Sequence, residues 1–152
     1  MKRYKAGSFG LEALPLLRKL LNYDDIFLVL EAAECVAKLG AAAKEAEDCE
    51  DLQNQLNITG SKIWDYSGYA NAYSTCLDAL EKIEADEELI VSYVARNIGI
   101  EDPDDLIASF RALQALGSKD AKDLLKRAAA FRQPDLNLRQ SKEVEKLLNS
   151  VR

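Results

Sequence analysis

The sequence of 152 residues contains no histidine, and several other residue types are scarce. It has three cysteines, three prolines, seven glycines and one tryptophan. Without histidine, Ser-His catalysis and imidazole metal sites are excluded. Cys35, Cys49 and Cys76 form no Cys-x-x-Cys pair, and we interpret them as small buried apolar groups in a reducing compartment. We therefore expect no catalytic residue, no cofactor and no metal, and the sequence favours a non-enzymatic role.

No long apolar run follows the basic start of the chain, so we expect a cytoplasmic protein without signal peptide or membrane span. The formal net charge of −6 argues against nucleic acid as a partner. From Glu31 to Asp105 there are 18 acidic and 5 basic residues, whereas Lys119 to Arg152 holds 9 basic and 5 acidic ones. One interpretation is solvated helix faces. The other is an acidic middle and a basic tail that pair with a partner or with another copy.

Apolar residues recur every three or four positions along most of the chain, which predicts helices. We predict about eight, near residues 13–21, 26–39, 41–56, 65–83, 86–98, 103–116, 119–131 and 141–151. Asp102-Pro103, Ser118 and Ser141 are typical helix starts, and Gly40, Gly99 and Gly117 are typical helix ends. Because short amphipathic helices are unstable alone, we expect them to stack in one domain of residues 1–152.

Four finer predictions follow from the same spacing. Pro15 is tolerated if the first helix begins near Ala13. The segment 26–30 is apolar all round and is expected to be buried within the monomer, with a homodimer interface as the alternative. Residues 57–62, which include Gly60, are expected to form a loop. Phe131 is placed in the buried stripe of the seventh helix.

Two parts of the chain are similar to each other, which indicates an internal repeat. Residues 13–40 and 102–128 each contain a charged turn and a helix ending in Leu-Gly, at Leu39-Gly40 and Leu116-Gly117. Residues 79–83 look like a third, degenerate copy of this helix end. Together with Asp102-Pro103-Asp104, these residues resemble HEAT repeats of the short bacterial type that also occurs in phycobilin lyases. The resemblance implies an all-α solenoid of stacked antiparallel helix pairs.

The resemblance also implies a surface for a partner, because HEAT-like stacks present their second helices to the molecules that they bind. The acid excess predicts a protein partner with a basic surface. Trp64 and Tyr66 are either core residues or part of a recognition patch. The candidate partner-binding residues are Glu31, Glu34, Lys38, Trp64, Tyr66, Asn71, Asp78, Arg111 and Gln114. The alternative function implied by the resemblance is handling of a bilin chromophore, as in the lyases, or of another small ligand.

Overall fold

The structure is a computed structural model that describes residues 6–62, 72–100 and 102–151. All regular secondary structure in these ranges is helical, which confirms the predicted all-α class. Eight α-helices are described: α1 Ala6–Leu20, α2 Ile26–Leu39, α3 Cys49–Ser61, α4 Ala72–Lys82, α5 Glu87–Arg96, α6 Pro103–Leu116, α7 Lys119–Arg132 and α8 Leu138–Ser150. Two short 3-10 helices, Gly40–Glu45 and Gln133–Asp135, follow α2 and α7.

Helix starts are fixed by side chains that accept backbone N–H groups. The Asp102 carboxylate accepts the amide of Asp104 at 2.9 Å, and the Ser118 hydroxyl accepts that of Ala121 at 3.1 Å, as predicted. The prediction that Ser141 caps the last helix is wrong. Asn137 caps α8 in a reciprocal capping box with Gln140, so the helix begins at Leu138.

Three helix ends are followed by a residue with positive φ. Gly40 follows α2 with φ 58°, and Gly117 follows α6 with φ 70°, as the predicted Leu-Gly ends require. Glu84, beyond the end of α4, has φ 55° and is the only described residue other than glycine with a positive φ. Its amide donates to the Glu81 carbonyl, and the next amide donates to the Leu80 carbonyl at 2.9 Å, which is a Schellman arrangement.

Other helix boundaries also differ from the prediction. The third helix, predicted from Ala41, begins at Cys49, and residues Gly40–Glu45 form a 3-10 helix instead. The first helix begins at Ala6 rather than near Ala13, so Pro15 lies inside it and lacks the N–H that would bond the preceding turn. Leu14, Leu17 and Leu21 are buried, and their packing holds the helix together across this gap. Residues 57–61 are the end of α3 rather than a loop.

The burial of its last residues explains why α3 continues to Ser61. Leu56, Thr59 and Gly60 are buried, and the Thr59 hydroxyl donates to the Leu21 carbonyl at 3.5 Å. Of the long helix predicted over 65–83, the structure describes α4 from Ala72 onwards. Residues 65–71 of the predicted span lie outside the described residues.

The chain divides into two compact units, Met1–Ile90 and Val91–Arg152. The boundary between the units falls inside helix α5. The single domain expected for residues 1–152 stays a prediction. In unit 1, α2 packs against both α1 and α4, and α3 packs against α4. The small residues Ala32 and Ala33 are buried in α2 and allow this close approach.

Neighbouring helices of unit 1 are also joined at their ends. A Cβ atom at Gly40 would lie 3.8 Å from the carbonyl oxygen of Lys82, so the C-terminal ends of α2 and α4 are adjacent. Arg18 of α1 bonds to Asp48 and Gln55, which precede and lie within α3. Near the other end of α3, Thr59 meets Leu21, so α1 and α3 run in the same direction.

In unit 2, α6 packs against both α7 and α8. The adjacency of α6 and α7 was predicted from the 102–128 segment and is confirmed. Phe131 is 73% exposed, so its predicted place in the buried stripe of α7 is wrong. The stripe continues instead through Leu125, Ala128 and Ala129 to Arg132, because α7 turns that side towards the rest of unit 2.

Candidate partner-binding site

Four of the predicted partner-binding residues lie on two adjacent helices of unit 1. Glu31, Glu34 and Lys38 are exposed on α2, and Asp78 is exposed on α4. Their exposure follows from helical spacing, because the buried side of α2 is occupied by apolar residues. These are Ile26, Val29, Ala32, Ala33, Val36 and Leu39. The structure therefore places these charges on the exposed sides of two helices that pack against each other.

Two further charged residues of α4 extend this surface and were not predicted. Glu81 and Lys82 are exposed on α4, and Glu81 follows Asp78 by three residues on the same face. The spacing alone could have identified Glu81 as a neighbour of Asp78. We define the α2–α4 surface as Glu31, Glu34, Lys38, Asp78, Glu81 and Lys82.

The surroundings of Glu81 on α4 affect the protonation of its carboxyl group. Partial burial raises the pKa of the Glu81 carboxyl above its ordinary value of 4.5. The neighbouring Asp78 carboxylate raises this pKa further, and the Lys82 ammonium group opposes the rise. Acids are thus close enough on α4 to repel one another, and a basic partner would relieve that repulsion.

Phe27 adds an apolar group to the same side of α2. The helix was expected to bury residues 26–30 on all sides, and this is wrong for Phe27, which is 50% exposed. Phe27, Glu31, Glu34 and Lys38 follow one another at steps of four, three and four residues, so they form one exposed stripe. The stripe combines a large aromatic group with charge, a composition typical of binding surfaces.

Arg111 and Gln114, which were also predicted to bind a partner, contact α8 within unit 2. Arg111 forms an ion pair with Glu143, and the Gln114 amide donates to the Ser150 hydroxyl at 2.6 Å. Both residues therefore help to join α6 to α8. Sequence spacing placed them off the buried stripe of α6 but could not show that a neighbouring helix supplies their partners.

Trp64, Tyr66 and Asn71, the other three candidates, lie outside the described residues.

A surface groove in unit 2 was not predicted. It lies between α7 and α8, which both pack against α6, and has a volume of about 500 Å³. It is lined by Lys126, Ala129, Ala130, Gln133, Leu136, Ser141, Val144, Glu145 and Leu148. No sequence motif marks it, because it arises from the spacing of two helices rather than from their residues. We call it the α7–α8 groove.

The three cysteines differ in their accessibility. Cys76 is fully buried in α4, as predicted, and burial raises the pKa of its thiol to about 12. The thiol is therefore protonated at neutral pH and is a poor nucleophile. Cys35 is exposed, so its predicted burial is wrong. Over the described ranges, no group of three or more histidine, cysteine or acidic residues is placed to hold a metal ion.

None of the described helices has the length and apolar character that spanning a lipid bilayer requires. Comparison of the chain with protein-family models, with curated proteins and with solved structures finds no match.

Proposed function

We propose that this chain is a non-catalytic, HEAT-like helical module that binds a protein with a basic surface through the α2–α4 surface. The observation that carries the proposal is the grouping of four exposed acids, Glu31, Glu34, Asp78 and Glu81, on two packed helices. Only two lysines, Lys38 and Lys82, accompany them on that surface. The remaining acid excess favours a cationic partner and an association that weakens with salt.

The contacts within unit 1 support the HEAT-like part of the proposal. α1 packs on α2, α3 packs on α4, and α2 packs on α4. The adjacent ends of α2 and α4, together with the common direction of α1 and α3, are what two stacked helix pairs require. In this assignment α2 and α4 are the second helices of consecutive pairs, on which HEAT-like proteins carry their binding surface.

The three left-handed helix ends support the repeat independently. Gly40 and Gly117 occupy the ends of the two clear copies, and Glu84 adopts the same sign of φ at the end of the degenerate copy. Glutamate has no intrinsic preference for this conformation. Its presence there is explained if the repeat geometry requires a left-handed residue after α4 even where the glycine is missing.

Charge reversal on the α2–α4 surface tests the proposal. The variant Glu31→Lys/Glu34→Lys/Asp78→Lys should lose partners that the unaltered chain captures from its source cell at low salt. A matched control is Glu12→Lys/Glu45→Lys/Glu47→Lys, which changes the net charge equally at three other exposed acids. The control should keep those partners. Equal capture by both variants, or equal loss from both, would show that the α2–α4 surface is not the binding site.

Handling of a bilin or another small ligand is the alternative implied by the family resemblance. A cysteine that tethers a chromophore must be accessible and ionised, and Cys76 is neither at neutral pH. Cys35 on α2 is exposed and is the accessible cysteine of the described residues. Co-expression with a bilin followed by an absorbance scan tests this alternative. A pigment that stays bound through purification would favour it over the protein-binding function.

A further inference from the structure

The exposed side of α8 carries a row of basic residues. Arg139, Lys142 and Lys146 are all exposed, and three and four positions separate them. Residues with this spacing lie on one face of a helix, here about 4.5 Å and 6 Å apart along its axis. We call these three residues the α8 basic row.

The packing of α8 leaves the row without a partner inside the chain. Val144 and Leu147 are buried, and the row lies on the opposite side of the helix. Across the part of the chain that the structure describes, no acidic side chain forms an ion pair with any member of the row. The three charges are therefore available to a group from outside the chain.

The two acids of α8 do not neutralise the row. Glu143 forms an ion pair with Arg111 of α6, which balances its charge. Glu145 lines the α7–α8 groove and is not part of the depression that the row lines. The surface around the α8 basic row therefore keeps a net positive charge.

An exposed apolar side chain adjoins the row. Leu138, the first residue of α8, is 73% exposed. Together with the row and Glu143 it lines a surface depression of about 610 Å³, a volume within the range of sites that hold ligands. The depression thus offers three cations and one apolar contact to the same occupant.

The charge of the whole chain decides which kind of anion suits the row. The formal net charge is −6, so the chain as a whole repels an extended polyanion such as a nucleic acid or an anionic membrane. A short acidic segment meets the row alone. Acids spaced three and four residues apart on another helix would face the row residue for residue.

We propose that the α8 basic row binds an acidic helical segment of a partner protein. The acids of that segment pair with Arg139, Lys142 and Lys146, and an apolar residue beside them covers Leu138. This site differs from the α2–α4 surface in its residues and in the sign of its charge. The chain therefore has one surface for a basic partner and another for an acidic one.

Nuclear magnetic resonance of the ¹⁵N-labelled chain with a synthetic probe tests the proposal, because it detects weak binding and locates it. The probe is a helical peptide of about 18 residues, built from glutamine and alanine. It carries three glutamates spaced three and four residues apart, with a leucine beside the first. The amide signals of residues 138–146 should shift at low salt, and added salt should reduce the shifts. A second peptide with glutamine in place of the three glutamates should leave these signals unchanged.

Variants of α8 show which side chains the probe contacts. Arg139→Gln/Lys142→Gln/Lys146→Gln should weaken binding of the acidic probe by about tenfold, because three exposed ion pairs are lost. Leu138→Gln should weaken it by a smaller factor. All four side chains are exposed, so these variants should keep the helical circular dichroism of the unaltered chain.

The matched control is Lys119→Gln/Lys126→Gln/Arg127→Gln. It removes two lysines and one arginine, as the triple variant of α8 does, at three exposed positions of α7. Its affinity for the acidic probe should stay within about twofold of that of the unaltered chain, because charges outside the row are partly screened.

Three results of the titration would overturn the inference. They are unchanged signals of residues 138–146 with the acidic probe, equal shifts with the glutamine peptide, and equal weakening by the α8 variant and the α7 control. Co-sedimentation with vesicles of equal parts phosphatidylcholine and phosphatidylserine tests the competing occupant, and we expect none. Vesicle binding that the triple variant of α8 abolishes would assign the row to a membrane surface instead of an acidic helix.

Discussion

Arg18 in unit 1 and Arg132 in unit 2 both join distant parts of the chain, but they bond to different kinds of groups. Arg18 is 31% exposed and bonds to two side chains, Asp48 and Gln55. The Arg132 side chain is 9% exposed and donates to the backbone carbonyls of Ile98 and Ile100 at 2.6 and 2.9 Å, as well as to Asp135.

The different partners of Arg18 and Arg132 indicate which interactions stabilise each unit. Water can replace the partners of a half-exposed side chain, so unit 1 depends mainly on the packing of α2 against its neighbours. Backbone carbonyls covered by a buried arginine have no such substitute. In unit 2, Arg132 of α7 therefore stabilises the segment between α5 and α6 through two backbone carbonyls.

The largest effect is expected from the centre of unit 2. Phe110 of α6 is fully buried, and α6 is the helix that both α7 and α8 contact. Phe110→Ala should lower the free energy of unfolding by about 3–5 kcal/mol, because it leaves a cavity at this junction. Urea titration followed by circular dichroism measures the loss. Phe131→Ala, at a mostly exposed position of the same unit, is the control and should change stability by less than about 0.5 kcal/mol.

The next largest effect is expected at Arg132. Arg132→Met keeps most of the side-chain volume but leaves the carbonyls of Ile98 and Ile100 without their donor. We expect a loss of about 2–3 kcal/mol in the same titration. Arg127→Met, at an exposed position of α7, should cost less than about 0.5 kcal/mol. A loss at Arg132 no larger than at Arg127 would mean that the two carbonyls find water instead.

At the end of α4, a substitution is expected to raise the free energy of unfolding rather than lower it. Glu84 in unit 1 has the left-handed conformation that Gly117 has in unit 2. That conformation costs an L-residue about 1–2 kcal/mol, whereas glycine loses about 0.5–1 kcal/mol more in backbone entropy. Glu84→Gly should therefore raise the free energy of unfolding by about 0.5–1 kcal/mol. Gly117→Ala should lower the free energy of unfolding. Thermal denaturation of both variants shows whether each change in stability has the expected sign.

A smaller effect is expected at Arg18. Arg18→Met should cost about 0.5 kcal/mol, since exposed or half-exposed ion pairs contribute little to stability. High salt should reduce this cost, because the attraction between Arg18 and Asp48 is screened. Lys19→Met, at an exposed neighbouring position, is the control. A cost equal to that of Arg132→Met would show that Arg18 contributes as much to stability as Arg132.

The smallest effect concerns the protonation of Glu81. Asp78→Asn should lower the pKa of the Glu81 carboxyl towards 4.5, because it removes the neighbouring negative charge. In the unaltered chain the raised pKa means that the contribution of Glu81 to stability is present below pH 4.5 and is lost as pH rises through its folded value. A carbon-detected NMR titration of Glu81 in both proteins measures the shift. An unchanged pKa would leave burial as its only cause.

Several helix boundaries could be predicted because their causes are local. Asp102 and Ser118 cap helices with their own side chains, and Gly40 and Gly117 adopt a conformation that few other residues adopt easily. The start of α8 was mistaken because two cap candidates lie four residues apart, and Asn137 with Gln140 satisfies more backbone groups than Ser141.

The same distinction between local causes and long-range contacts applies to the partner-binding candidates. Helical spacing correctly placed Glu31, Glu34, Lys38 and Asp78 off the buried stripes of their helices. It could not show that Arg111 and Gln114 face α8, or that α7 and α8 leave a groove between them. Those facts depend on residues that lie on different helices, which no local pattern relates.

Local patterns in the amino-acid sequence are sufficient to predict that the chain is helical and where several of its helices begin and end. The reason is that capping, left-handed glycines and apolar periodicity act within a few residues. Which side of each helix is covered depends on contacts with other helices. On α7 the exposed Phe131 and the buried Arg132 are adjacent in sequence, and hydrophobicity alone favours the reverse. The backbone carbonyls that Arg132 bonds lie more than 30 residues away, and their need for a donor outweighs the cost of burying its charge.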